Sequence, residues 1–134
     1  MARRNSRRLL QFEPPREAMA ALSQDERQQV RGSLAAGEEV LATVRAWFGE
    51  HRRAWALTSR HVLVLGEGST LLGSYPLDDV SRLDCEPCGV GTALWLYTSH
   101  QLVELHLASP EDAETFAATF ERIQRDAMVL RIVR

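Results

Sequence analysis

From Glu38 to Leu107 the chain repeats with a period of two. Val40, Ala42, Val44, Ala46 and Phe48 alternate with Leu41, Thr43, Arg45 and Trp47. Successive side chains on a strand point to opposite faces, so this spacing predicts a long β-strand with one face toward a core. The run Trp55-Ala56-Leu57, then Thr58-Ser59-Arg60-His61, then Val62-Leu63-Val64-Leu65 keeps the same character. Polar residues set between two β-prone runs predict a tight hairpin turn. Gly49-Glu50-His51 and Gly66-Glu67-Gly68-Ser69 supply the turns on either side.

Further strands are expected at residues 71–76, 80–86, 92–98 and 101–107, the last two forming a hairpin around Ser99-His100. Pro76 lacks a ladder donor and belongs at a strand end or on an edge. In the final strand Val103, Leu105 and Leu107 face one way, with Glu104 and His106 on the other. Helical signals flank this β-rich block. Pro14-Pro15 opens a short helix over residues 16–22. Ser23-Gln24-Asp25-Glu26 is a capping box for a helix over 24–35, with Val30 and Leu34 inward and Gly37 as its stop. Ser109-Pro110-Glu111-Asp112 starts a helix over about 110–127, with Phe116, Phe120, Ile123 and Ala127 on its apolar face. Residues 127–134 alternate and are β-prone, and either extend that helix or form another strand. As a strand, the segment has an edge free to pair with a neighbouring strand or with a second copy.

The organisation expected is a basic tail at 1–12 carrying Arg3, Arg4, Arg7 and Arg8, short helices at 13–36, and a β domain at 37–134. With 134 residues, 45% hydrophobic and 25% charged, the chain is long enough for one domain with a real core. The net charge of −2 gives the whole molecule no pull toward nucleic acid. No apolar run reaches the ~20 residues of a membrane span, and the basic N-terminus lacks a signal-peptide core, so a cytoplasmic protein is expected.

Catalytic and metal signatures are missing. Gly89-Val90-Gly91 begins like a dinucleotide loop, but Leu94 occupies the third glycine position and a strand follows. Cys85 and Cys88 form a Cys-x-x-Cys without the strand-to-helix setting of a redox pair. His51, His61, His100 and His106 do not supply zinc-finger spacing. No catalytic residue, metal or cofactor is assigned.

The order of elements carries Gly37-Glu38-Glu39-Val40-Leu41, Ala56-Leu57-Thr58-Ser59-Arg60-His61-Val62-Leu63 and Tyr75-Pro76-Leu77-Asp78-Asp79-Val80 at set positions. Over residues 34 to 126 it resembles the bacterial pleckstrin-homology-like (PH-like) domains. The resemblance implies a mainly β fold, a barrel or sandwich of about seven antiparallel strands closed by a C-terminal helix. It also implies a non-enzymatic role and, as for several relatives, self-association. Lipid-binding relatives use a basic first hairpin, which here offers Arg45, Arg52 and Arg53, with Arg60 on the neighbouring turn. Arg52 and Arg53 are adjacent, so alternation turns them to opposite faces.

The leading functional expectation is therefore a non-catalytic interaction module. It binds a protein partner or a second copy through an open sheet edge or the face carrying Arg45 and Trp47. One alternative is a peripheral binder of anionic lipid head groups using Arg45, Arg52, Arg53 and Arg60 at one barrel end together with the N-terminal cluster Arg3, Arg4, Arg7 and Arg8 as a polybasic surface. Another is a barrel for single-stranded nucleic acid, with Trp47, Trp55 and Trp95 as stacking rings. Trp55 and Trp95 are also natural core residues, and Trp47 either stays exposed or lies under an N-terminal helix.

Overall fold

A computed structural model of the protein describes residues 18–133, with side-chain environments given for 18–127. The expected basic tail at 1–12 lies outside the described residues. So does the start of the helix expected at 16–22, whose described part is helical at Ala18 and then a turn at residues 19–21, closed by the Leu22 N–H on the Met19 carbonyl at 3.1 Å.

The capping box forms as the sequence indicates. The Glu26 N–H donates to Ser23 Oγ at 3.2 Å, and the Ser23 N–H donates to Glu26 Oε1 at 2.8 Å. Helix α1 runs Gln24–Ser33, ending short of residue 35 because Leu34 turns extended, with φ −82° and ψ 142°. Seven strands follow in antiparallel succession: β1 Val40–Phe48, β2 His51–Thr58, β3 His61–Leu65, β4 Leu71–Pro76, β5 Val80–Cys88, β6 Gly91–Thr98 and β7 Leu102–Ala108. Short 3₁₀ turns stand before β4 (Glu67–Ser69) and before β5 (Leu77–Asp79). Pro76 ends β4, an edge strand, where a missing N–H costs no ladder bond.

The sheet order is β4-β3-β2-β1-β7-β6-β5. Its two halves join where Trp47 of β1 sits opposite His106 of β7. Across so short a seam the halves diverge, and the space between them is the main core. Trp55, Leu57, Val62 and Val64 fill it from one half, and Leu83, Leu94, Leu96 and Leu105 from the other. Helix α2, Pro110–Val133, closes the opening. Ser109 Oγ caps it by accepting the Asp112 N–H at 3.1 Å. Ala113, Phe116 and Phe120 are buried against the sheet, and the Phe116 ring lies 6.0 Å from that of Trp55. The Trp55 indole N–H finds no acceptor among the described residues. Burying ~150–250 Å² of ring at ~25 cal/mol per Å² yields roughly 4–6 kcal/mol, which outweighs the ~1–3 kcal/mol of an unpaired donor.

Two expectations are corrected, for Leu107 and Ala127, and the alternative left open at 127–133 is decided. Leu107 does not face inward with Val103 and Leu105; it is 54% exposed. Between Thr92–Ala108 and Leu94–Leu105 the register shifts, so β7 carries an extra residue, and Leu107 adopts a positive φ of 64°. The bulge turns Leu107 outward and returns Ala108 to the core. Residues 127–133 continue α2 rather than forming a strand, so no strand edge exists there to pair. Ala127, expected on the inner stripe, is exposed.

A smaller core lies on the other face of the first half. Met19, Leu22 and Val30 cover Val40, Ala54, Ala56, Leu63 and Leu65, with Leu34 at the margin. β1 to β3 are thus buried on both faces, which is why alanines stand at two outward positions of β2.

Two stability changes follow. Phe120→Ala empties the centre of the cap and should cost ~3–5 kcal/mol, a fall of more than ~10 °C in melting temperature. Gly91→Ala should cost ~1–3 kcal/mol, because a Cβ there would meet the Leu107 Cα at 2.7 Å and backbone cannot yield as a side chain does. Thermal melts followed by circular dichroism measure both.

Candidate functional site

The β1–β2 hairpin sets the candidate residues by simple alternation. Thr43, Arg45 and Trp47 share the outward face of β1. The Thr43 hydroxyl bonds the Ala18 carbonyl, and Arg45 Nε sits 3.1 Å from Glu26 Oε1. Arg45 is therefore committed to α1. Glu26, almost fully buried, serves both the helix cap and this ion pair.

Arg52 and Arg53 leave β2 on opposite faces. The Arg52 guanidinium lies over the Trp47 ring at 4.4 Å, and that of Arg53 lies 6.0 Å from the Phe48 ring. Arg53 also donates to the Arg52 carbonyl at 3.1 Å. Arg60 does not join them. It sits on the β2–β3 turn, at the far end of an eight-residue strand and roughly 20 Å or more from the first hairpin. The structure brings Trp47 and Arg52 together, turns Arg53 to the other face, pairs Arg45 with Glu26 and places Arg60 beyond the far end of β2, so the four arginines do not form one basic cluster.

Beyond Trp47 the outward face continues across the second half. His106 lies beside Trp47, and its ring meets Trp95 edge-on at 6.2 Å. Glu104 is 3.1 Å from His106 Nε2 and stands opposite Trp95. Leu102 stands opposite Tyr97, and the Arg82 guanidinium lies over the Tyr97 ring at 4.3 Å while its Nε contacts Asp84 at 3.2 Å. Arg52, Trp47, His106, Trp95, Tyr97 and Arg82 thus form an interleaved band of rings and cations from β2 to β5. Trp47 and Trp95 are half-buried and Leu102 is 46% exposed. Trp55, the third expected stacking ring, is in the core. Tyr97 and His106 were not among the expected site residues; their signal was the outward parity of Trp95, Tyr97, Glu104 and His106 in the last hairpin.

A second feature lies at the opposite end, at the mouth of the β2–β3 turn. The Glu38 carboxylate is buried there and accepts the Ala35 N–H at 2.8 Å, the Thr58 hydroxyl, and His61 Nδ1 at 3.0 Å. Thr58 Oγ1 in turn accepts the His61 N–H at 2.8 Å and the Arg60 N–H at 3.1 Å. This network accounts for the Gly37-Glu38 and Thr58-x-x-His61 motifs: it locks the hairpin turn to the start of β1. Burial pushes the Glu38 carboxyl up, but the bonds from Ala35, Thr58 and His61 outweigh it and hold its pKa below the usual carboxylate range.

Cys85 and Cys88 are both free, on β5, which runs two residues further than expected, to Cys88. Burial pushes the Cys85 thiol up, helped by Glu114 and Glu121, which suits an inert thiol rather than a nucleophile. Among the described residues no group of three or more His, Cys, Asp or Glu is arranged to hold a metal ion, and no helix is long and apolar enough to cross a membrane.

Because the folded pKa of Glu38 is depressed, its network contributes stability above the ordinary carboxylate range and loses it as pH falls through the folded value. Glu38→Gln should lower the melting temperature by about 3–6 °C at neutral pH. The gap to the parent chain should narrow as the pH is taken from about 5 to about 3. Melts across that range check the sign.

No protein-family model and no curated sequence matches the chain. Among solved structures, the Vps36 N-terminal PH domain superposes with a TM-score of 0.52 at 17% identity, over 72% of this chain and 86% of that one. At that identity the likeness is one of architecture. The seven antiparallel strands with their closing C-terminal helix are a PH-like fold.

Proposed function

We propose that the protein is a non-catalytic, cytoplasmic interaction module of the bacterial PH-like type that docks a protein partner on the outward face of β1, β7, β6 and β5. One observation carries the reading. Helix α1 covers the outer face of β2, β3 and the start of β1, whereas the outer face beyond it presents Trp47 near the end of β1 together with Trp95, Tyr97 and Leu102 of the second half. Rings and stacked guanidiniums held on a sheet lose little freedom on binding, and such residues dominate interface energetics. Charges on this face alternate in sign, with Arg52 and Arg82 beside Glu104 and Asp84, which suits a mixed protein surface better than a polyanion.

Lipid recognition has weaker support. Arg45 is paired with Glu26, and Arg60 is at the far end of the barrel. Nucleic-acid stacking is likewise left without Trp55.

Affinity capture from native cell extract with the full chain, with Trp47→Ala and with Leu102→Glu tests the proposal. A specific protein should be retained by the parent chain. Its binding should weaken roughly thirtyfold with Trp47→Ala, about 2 kcal/mol. Capture unchanged in both variants would remove this face from consideration. Salt-dependent sedimentation with anionic vesicles, lost on joint Arg52→Ala and Arg53→Ala substitution, would establish the lipid reading instead, and preferential binding of oligonucleotides the third.

A further inference from the structure

We infer that the outward face receives an arginine side chain of its protein partner over Trp95, between the carboxylates of Glu104 and Asp84. The inference rests on the reading of that face as a docking surface and names the chemistry the partner presents at its centre.

Register puts the three residues together. Trp95 of β6 stands directly opposite Glu104 of β7 on one side and directly opposite Asp84 of β5 on the other. Residues paired across neighbouring strands share a face, with Cβ atoms ~4.5–5.5 Å apart. The indole is thus flanked by a carboxylate on each adjoining strand. All three side chains are half-buried, which fixes their bases on the sheet and leaves their ends within reach of an incoming group.

The rings of the band differ in what already covers them. The Arg52 guanidinium lies over Trp47 at 4.4 Å, and that of Arg82 over Tyr97 at 4.3 Å. Among the described residues no guanidinium lies over Trp95. Its ring neighbour is His106, perpendicular to it at 87° with the centroids 6.2 Å apart. A perpendicular contact occupies at most one of the two indole faces. The electron-rich face of a tryptophan is the strongest of the side-chain rings for a cation.

The flanking carboxylates are only partly used. Glu104 Oε1 is 3.1 Å from His106 Nε2, and Asp84 Oδ1 is 3.2 Å from Arg82 Nε. Each carboxylate has a second oxygen, and the two side chains are 36% and 42% exposed. Arginine is the cation that meets ring and carboxylate at once: its planar guanidinium stacks on an indole while its edge N–H groups donate to a carboxylate. The resident arginines stand further along the ladder, Arg82 one residue pair away at Tyr97 and Arg52 beyond β7 and β1. A partner arginine therefore completes the alternation of rings and cations at the one large ring of the band that lacks a guanidinium, whereas a phosphate brought to the same point meets two carboxylates.

Nuclear magnetic resonance titration of the labelled full chain tests this with two probes. One is the blocked pentapeptide Gly-Leu-Arg-Leu-Gly. The other carries citrulline at the centre, which keeps the shape of arginine without its charge. The arginine peptide should move the Trp95 indole N–H signal and bind at least tenfold more tightly than the citrulline peptide. Joint Glu104→Gln and Asp84→Asn substitution, nearly isosteric and on the surface, should weaken the arginine peptide at least tenfold. Trp95→Leu should weaken it roughly fivefold, with circular dichroism confirming that each variant is folded. No shift at Trp95 up to about 5 mM peptide overturns the inference. So does equal affinity for the two peptides, or an affinity indifferent to the joint carboxylate substitution. The result is read at Trp95 without any captured protein, so its failure is distinct from failure of the docking reading. A protein captured from extract that is lost on Trp47→Ala yet binds the joint carboxylate variant as well as the parent chain overturns the arginine site alone and leaves the docking face standing.

Discussion

The seam between β1 and β7 governs the rest of the architecture. Joined at Trp47 and His106, the two halves of the sheet splay apart, and a splayed sheet leaves a wedge that water cannot usefully occupy. Trp55, Phe116 and Phe120 fill that wedge. The C-terminal helix is therefore an integral wall of the core rather than an appendage, and the apolar stripe of its first half is spent on closure.

The outer surface is divided unequally by one buried carboxylate. Glu26 caps α1 and holds Arg45, which fixes the helix over β1 to β3 and permits small apolar residues such as Ala54 and Ala56 on what would otherwise be a solvated face. Among the described residues no helix covers the outward face of the second half. Its outward residues are held by one another, ring against guanidinium and imidazole against indole. The same alternation that builds the core thus prepares a flat, rigid and chemically mixed face on the other side. The Glu38 network plays the matching role at the far end, where it ties the second hairpin to the entry of β1 through bonds spanning twenty or more residues.

Much of this was legible in the sequence because it is local. Period-two alternation from Val40 to Phe48 needs no partner to be recognised; nor do the Ser23–Glu26 box or the turn at Ser59-Arg60, since each signal lies within a few residues of what it specifies. The opposite facing of Arg52 and Arg53 follows from adjacency alone. The readings that failed all needed to know what came close in space. Leu107 alternates correctly by sequence, and only the approach of β7 to Gly91 and the bulge there turn it out. Arg60 is near Arg52 and Arg53 in number, but one strand length separates them. Arg45 carries a charge like any other until Glu26 arrives from α1.

The sequence by itself determined the strand count, the hairpin turns, the starts of α1 and α2 and the two-sided character of each strand, because backbone geometry converts spacing directly into facing. Tertiary structure alone decided which faces stayed open, which arginines remained available and whether residues 127–133 became helix or strand. Those choices depend on contacts between segments remote in the chain, whose free energy has no counterpart in any short window of residues.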